Sequence, residues 1–407
     1  ALINRKFQPI HGIYGDTTVF GQMPDWNPAE IIGKNPSKLA YSLYSELITK
    51  NIWAKARKLM GYKDLSKFNL MSNIGEQPYI DTRLSFNSFL PVSLKKKISE
   101  KIIDNSIKKL KNDPSLHDKI EFDIAITSFS FDFNEKIKKL YGSILNKKEK
   151  KIFKKNIKEL TIKNFDKSNQ GSLNKALEKI EKLKNLQQTK KLNKIFHLKE
   201  IISNCKKLGT LPFSILARHG FIGRDLLFSL YNEKILNFNE IENFQTSLKT
   251  VTSEMINDLK KLDKKNFLLK YGHLRPGTYD IMSKRYDQLK GFNIGTQSKN
   301  KKKMFFMISK SKKVKIKYLL NKNKFNMNTT EELFDYIKNS IISREYAKFI
   351  FTKSISLILE IIANHGKKLN LSREQLSHIP ISFFLDKNKY SNKNKLKTIS
   401  TINKKRH

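Results

Sequence analysis

The sequence predicts a mainly α protein with a small β component, an α+β fold built on a multi-helix central module with a few short strands. Three observations carry that expectation. Apolar residues recur at three- and four-residue steps over most of the 407 positions. Only a few short stretches alternate with period two. Capping signatures open late helical segments, at Thr329–Glu332 and Ser372–Gln375.

Composition narrows the function classes. The formal net charge is +43, but the cations are 70 Lys and only 10 Arg, spread along nearly the whole chain. Groove and phosphate readers lean on Arg for bidentate contacts. Nucleic acid is therefore not expected as a partner, and a basic helical binding or scaffold module is the alternative reading. No run approaches the roughly 18 apolar residues of a membrane span. Cys205 is the single cysteine, which forbids an internal disulfide and points to a reducing cytoplasm. Phosphate-loop, dinucleotide, zinc-protease and nucleophile-elbow patterns are all missing, and no metal ligands are expected.

Residues 1–24 read as extended, punctuated by Gly12, Gly15 and Gly21. Asn27, Pro28 and Glu30 suit the N-cap, first and third positions of a short helix, with Glu30 reaching back to the Asn27 amide. Capping leaves Asp25 and Trp26 unexplained. A helix follows from Ser37 to Met60, with Leu39, Leu43, Leu47 and Ile48 on one face and Gly61 as its stop. Alternation over residues 77–91 predicts a strand with Asp81, Arg83, Ser85 and Asn87 on a single polar face, a possible anion site. Residues 92–111 are helical. Lys119 to Phe133 is the best strand, with a slip at Thr127 and Ser128.

Residues 134–207 read as helical and very basic. From Gly209 to Arg224 two helices joined at Gly220 are expected. Arg218 and His219 would sit at the C-terminal end of the first, favoured by the dipole. Arg224 would open the second, where a cation is poorly placed and an acidic partner or ligand fits better. Asn239 to Leu262 reads as one amphipathic helix, and 263–270 as a short one. It delivers the chain into Lys270–Ile281, where Gly272, Pro276 and Gly277 forbid regular helix and His273, Arg275, Tyr279 and Asp280 cluster. Residues 290–328 read as a Lys/Asn-rich linker with a short strand near Met304–Ile308. The helix from Thr329 runs to His365 with Gly366 beyond it, and its Arg344, Glu345 and Lys348 have the spacing of an internal ion-pair set. Residues 387–407 are basic, low in complexity and expected to be disordered.

Six stretches in order resemble the central region of phosphoenolpyruvate synthase-like proteins: MPDWNPAEIIG (23–33), SLYSELIT (42–49), PYIDTRLSFNSFLP (78–91), LGTLPFSILARHGFI (208–222), YGHLRPGTYDI (271–281) and SREYAKFIFT (343–352). That family belongs to the phosphoenolpyruvate-utilising dikinases, with pyruvate phosphate dikinase and rifampicin phosphotransferase. The resemblance spans about residues 3–386. It implies an N-terminal ATP-grasp domain, a central region and a C-terminal swivelling domain carrying a phosphohistidine, of which this chain resembles only the centre. ATP and Mg²⁺ are then implied for the full-length family and bound mainly outside this chain, with no cofactor expected on the chain itself. The implied partners are the ATP-grasp and swivelling domains, in the same or a separate chain, and a small-molecule acceptor, pyruvate or a related compound. The expected division is a linker (1–24), a central module (25–290), a linker (291–328), a helical segment (329–386) and the tail (387–407).

The 271–281 loop is similar to a G-H-R-x-P-x-E-x-D-L pattern of the rifampicin branch. His273, Pro276 and Asp280 match, Leu274 stands in place of the Arg, and Thr278 in place of the Glu. The resemblance implies a phosphotransfer enzyme, with His273, Asp25 and Asp280 as catalytic candidates. Arg83, Arg218, Arg224, Arg275, Arg344, Asn27, Asn87 and Tyr279 are candidates for holding substrate or phosphate oxygens.

Overall fold

The computed structural model describes residues 2–6, 12–165, 171–289 and 306–405. Among them four strands form an antiparallel sheet in the order β1-β2-β4-β3: β1 (Leu2–Lys6), β2 (Thr17–Gly21), β3 (Met71–Ile74) and β4 (Gln77–Asp81). Gly75 and Glu76 join β3 to β4 with φ of 57° and 64°, the double positive turn that matches strand twist. The N-terminal segment expected as a linker thus pairs into this sheet, with Phe20 opposite Asp81.

The rest is helical. α1 (Pro28–Ile31), α2 (Lys38–Tyr44) and α3 (Ile52–Leu59) follow β2, and a π-helical turn, Ser45–Thr49, interrupts what reads in sequence as one helix. Gly61 ends α3 at φ 95°. α4 (Thr82–Ser88) replaces the second half of the expected 77–91 strand. The reason is local: Asp81 accepts from the Arg83 and Leu84 amides and starts a helix. Every residue of α4 is buried, so alternation there carries no face information.

α5 (Lys96–Asn112) follows, close to its expected bounds. Residues 120–133 are not a strand. A π-helical turn at Ile120–Ile124 leads into irregular chain whose apolar side chains, Ile126, Phe129 and Phe131 among them, are buried. Side chains satisfy its backbone in place of a strand partner. The Ile126 amide donates to the Tyr141 hydroxyl, the Phe129 amide to Thr161 Oγ1, and the Tyr62 hydroxyl to the Thr127 carbonyl, at 3.1, 2.8 and 2.8 Å.

α6 (Phe133–Tyr141), α7 (Lys147–Lys163), α8 (Ser172–Thr189) and α9 (Leu198–Asn204) build the helical region expected over 134–207. A third π-helical turn, Cys205–Thr210, feeds α10 (Leu211–Asn232), one continuous helix rather than two. Its glycines serve close approach to another helix, not a turn. A Cβ on Gly220 would meet Arg344 Cδ at 3.3 Å, and one on Gly223 would meet Ile337 Cα at 3.4 Å. Arg218, His219 and Arg224 are therefore mid-helix, and no helix end explains them.

α11 (Phe238–Ser247) and α12 (Val251–Lys261) divide the expected 239–262 helix, because Thr250 caps α12 through the Ser253 amide. α13 (Lys264–Tyr271) leads into the 272–281 loop. α14 (Lys310–Lys322) occupies part of the expected linker. Of the short strand expected there, residues 304–305 lie outside the described residues and 306–308 form no strand.

α15 (Thr330–Lys368) is the spine: 39 residues, about 58 Å at 1.5 Å per residue, packed against α8 and α10. Thr329 caps it through the Glu332 amide. Gly366 lies inside the helix, and Asn370 at φ 54° takes the left-handed position beyond its end. Residues 387–405 are structured where disorder was expected, and 406–407 lie outside the described residues. After α16 (Arg373–Ser377), α17 (Ile381–Phe384) and α18 (Lys387–Tyr390), α19 (Lys393–Lys405) buries Leu396, Ser400 and Asn403. Ser400 Oγ and Asn403 Nδ2 donate to the Gln375 and His378 carbonyls, which fasten α19 to α16 and its end. Among the described residues no helix is long and apolar enough to cross a membrane.

Candidate functional site

The segment between β2 and α1 carries two left-handed non-glycine residues, Asp25 at φ 57° and Asn27 at φ 41°. Such backbone is uncommon, and it persists where the surroundings dictate it. The surroundings here are visible. Asp25 Oδ1 takes Arg57 Nη2 at 2.6 Å and Oδ2 takes the Ser85 hydroxyl at 2.7 Å, while the Tyr44 hydroxyl donates to the Trp26 carbonyl. Asn27 makes no side-chain cap. Its amide nitrogen donates to Glu30 at 3.2 Å, which corrects the expected reach of Glu30 to the Asn27 backbone.

This segment forms one wall of a cleft of about 390 Å³. α10 supplies Phe213, Ser214, Arg218 and Phe221, α15 supplies Arg344, Lys348 and Thr352, and the 272–281 loop supplies Pro276, Thr278 and Tyr279. Five sequence-predicted residues from four separate motifs meet there: Asp25, Asn27, Arg218, Tyr279 and Arg344.

Two buried arginine–carboxylate pairs form the inner part. Asp25 and Arg57 side chains are 4% and 6% exposed, Glu121 and Arg218 side chains 7% and 4%. Arg57 also donates to Ser88, and Arg218 to Glu121 and Thr127. Both guanidinium groups lie near the Phe89 ring, at 4.1 and 5.4 Å from its centroid. Burial pushes the Glu121 carboxyl up despite the opposing pull of Arg218, while Arg218 stays charged. Burial also drives the Tyr44 and Tyr279 phenols well above their usual range, helped at Tyr44 by Asp25 and at Tyr279 by Tyr44. These two rings pack edge to face at 5.1 Å.

The outer part differs. Arg344 and Lys348 are exposed, one turn apart on α15, and neither forms an ion pair with a described residue. Glu345, their expected third member, instead accepts from Thr252. Three buried N–H groups of lining residues also have no protein acceptor: Trp26 Nε1, Trp53 Nε1 and Arg218 Nε. The lining holds four cations against three carboxylates, Asp25, Glu30 and Glu121. With both inner pairs neutralised, the unspent capacity is cationic and hydrogen-bond donating, which suits an anion.

The other candidates are elsewhere. Arg83 is 1% exposed and donates to the Gly15 carbonyl, and Asn87 clamps Tyr14 and the Arg83 carbonyl, so both hold α4 against the 12–16 turn. Arg224 is exposed, 4.9 Å over the Phe122 ring. Arg275 pairs with Glu360 at 3.0 Å and donates to Ser356 and the Ser283 carbonyl, so it fastens the loop to α15. Asp280 caps a turn by accepting from the Met282 amide. His273 faces a different pocket, with its Nε2 buried and unpartnered. Sequence reasoning missed Arg57 and Glu121. The signal for Arg57 was a rare Arg one turn after Trp53. Glu121 had none, because its place depends on a π-helical turn that period-two counting reads as strand.

His219 lies behind the cleft, wholly buried, hydrogen-bonded to Tyr336 and Ser172 at 2.9 Å each. Burial, then the neighbouring Arg218, push it down to about 3. Its folded value lies below its unfolded one of about 6.5, so the unfolded chain binds the extra proton between the two. Stability from this group is complete above about pH 6.5 and falls as pH drops toward 3. At pH 5 the loss is about 2 kcal/mol at 1.36 kcal/mol per unit. We expect His219→Gln to flatten the urea-denaturation difference between pH 7 and pH 5 by about that amount. An unchanged difference would reject the assignment.

The fold and the site thus define a mainly helical protein with a charged, ligand-sized cleft. No protein-family model, curated protein or solved structure matches the chain.

Proposed function

We propose that the cleft binds a small organic anion and serves as the acceptor side of a phosphoenolpyruvate synthase-like phosphotransferase. One observation carries the anion reading: two cations with no ion pair among the described residues, Arg344 and Lys348, stand over an inner region whose arginines are already paired. The phosphotransfer reading rests on the motif resemblance, since four of its six stretches contribute the predicted residues that line the cleft.

In this reading Arg344 and Lys348 take the carboxylate or phosphoryl oxygens, and the Trp26 and Trp53 N–H groups orient the rest. Glu121, its carboxyl pushed up by burial, is the acidic group of the inner part that holds its proton more tightly than an ordinary carboxyl. Asp25 is a positioning residue. Both its oxygens are engaged, by Arg57 and Ser85, and these contacts fix its orientation in the wall of the cleft. ATP and Mg²⁺ bind outside this cleft in the same reading. The reading assigns them to an ATP-grasp domain, with a swivelling phosphohistidine domain delivering the phosphoryl group.

Calorimetric titration of the chain with phosphoenolpyruvate, pyruvate and inorganic phosphate tests this. The expected result is one saturable site that takes phosphoenolpyruvate more tightly than phosphate, with affinity falling as salt rises. Absence of saturable binding for both organic acids at millimolar concentration would overturn it.

A further inference from the structure

A second pocket, of about 310 Å³, opens on the other side of α15, between the C-terminal half of α8, the 190–193 turn, α9 and the start of the 272–281 loop. Its size is at the lower end of ligand pockets. Four cations line it, Lys190, Lys191, Arg285 and Lys353, and no carboxylate does. Lys190 and Arg285 have acidic neighbours outside the lining, Glu200 and Asp287, at 2.8 and 2.5 Å. Lys191 and Lys353 form no ion pair with a described residue. Like charges gathered on one concave wall repel unless an anion joins them.

A second observation points to the same ligand. His273 is 8% exposed, and its Nε2 is buried without a hydrogen-bond partner. A buried polar atom without a partner has lost its water and gained nothing in exchange, so it calls for a hydrogen bond. Burial first, and then the Lys353 ammonium, push His273 down to about 4, so it stands neutral in a cationic field. An aliphatic patch of Leu183, Leu186, Leu192, Ile201 and Leu357 shares the remaining wall with glutamine, asparagine and serine side chains. An inorganic ion would leave that wall unused, and a neutral hydrocarbon would leave the cations unused.

We propose that this pocket binds an amphipathic organic anion, a carboxylate or phosphate monoester on a medium-length aliphatic body. Lys353 and Arg285 receive the head group, His273 hydrogen-bonds it, and Leu183 and Leu357 pack the body. This site stands apart from the cleft of Arg344 and Lys348 and does not rest on the phosphotransferase reading. The loop joins the two, because His273 lines one pocket and Pro276, Thr278 and Tyr279 line the other.

Titration calorimetry of the full chain with octanoate, octyl phosphate, octan-1-ol and inorganic phosphate tests the proposal. One saturable site is expected for an octyl anion, at least tenfold tighter than for octan-1-ol or phosphate. Octanoate against octyl phosphate decides which head group is preferred. Lys353→Gln and Arg285→Gln should each weaken the preferred ligand about tenfold and Leu357→Asn should do likewise, with unfolding midpoints checked for each. Arg344→Ala, in the other cleft, should leave this affinity within twofold. Equal binding of octan-1-ol would overturn the anionic head, and equal binding of phosphate the aliphatic body. Insensitivity to both cation variants would overturn the site itself.

Discussion

Arg218→Ala is expected to lower the unfolding free energy by about 3–5 kcal/mol, the cost of leaving one member of a buried ion pair without the other. The change strips Glu121 of its cation and Thr127 Oγ1 of a donor, both in the closed inner part of the cleft. The sign of its pH dependence follows from burial. Glu121 is already pushed up, and losing Arg218 pushes it further. A carboxyl that holds its proton more tightly folded than unfolded penalises the folded state as pH rises above the unfolded value. The deficit should therefore be smaller at pH 5 than at pH 8. Replacing both members, Glu121→Leu with Arg218→Met, should cost less than the two single changes added together, because the paired residues are coupled. Urea denaturation at both pH values measures all three variants. A single-variant cost below about 1 kcal/mol would show that the pair is better solvated than its burial implies.

The same pair marks the boundary of what the residues disclose before folding. Helices set by repeating apolar positions and caps were legible: α5, α13 and α15 with its Thr329 cap fall where periodicity puts them. So was the loop after Tyr271, because glycine and proline act locally. What failed was alternation in fully buried chain. Thr82–Ser88 and Ile124–Phe131 alternate without pairing, since both their faces meet protein and their backbone is satisfied by an N-cap or by Tyr141 and Thr161. Gly220 of α10 was misread for a related reason. Its role, like that of Gly223, is set by α15, more than 100 residues later, and no local signal carries it.

The candidate site divides along the same line. Rare arginines did mark important places, but most of them hold the fold. Arg83, Arg275 and the missed Arg57 are each bound to carbonyls or carboxylates of distant segments. Motif spacing identifies groups that matter without saying whether their partner is protein or ligand. The distinction becomes visible only when the hydrogen bonds are traced. Asp25 is then satisfied from within, Arg218 spends its Nη groups on Glu121 and Thr127, and Arg344 is the predicted arginine that reaches the cleft with no ion pair among the described residues.

Arg344→Ala together with Lys348→Ala should therefore abolish most anion binding in the cleft while sparing the fold. Each side chain is exposed on α15, and surface substitutions away from special features stay within about 0.5 kcal/mol of stability. Ala is also a better helix residue than either. The binding side is much larger. A hydrogen bond to a charged group contributes about 1.5–3 kcal/mol, so Arg344→Ala alone should weaken phosphoenolpyruvate about tenfold and the double change by about a hundredfold, at about 1.4 kcal/mol per tenfold. Arg344→Lys should fall between, since it keeps the charge and loses the fork that grips two oxygens at once. Calorimetry at low and moderate salt, with the unfolding midpoint recorded on the same samples, separates the alternatives. If affinity drops and the midpoint holds, α15 carries the ligand's charge. If the double variant binds as tightly as the parent, the anion is held by the inner pairs, and Arg344 and Lys348 are ordinary solvated cations on a very basic protein.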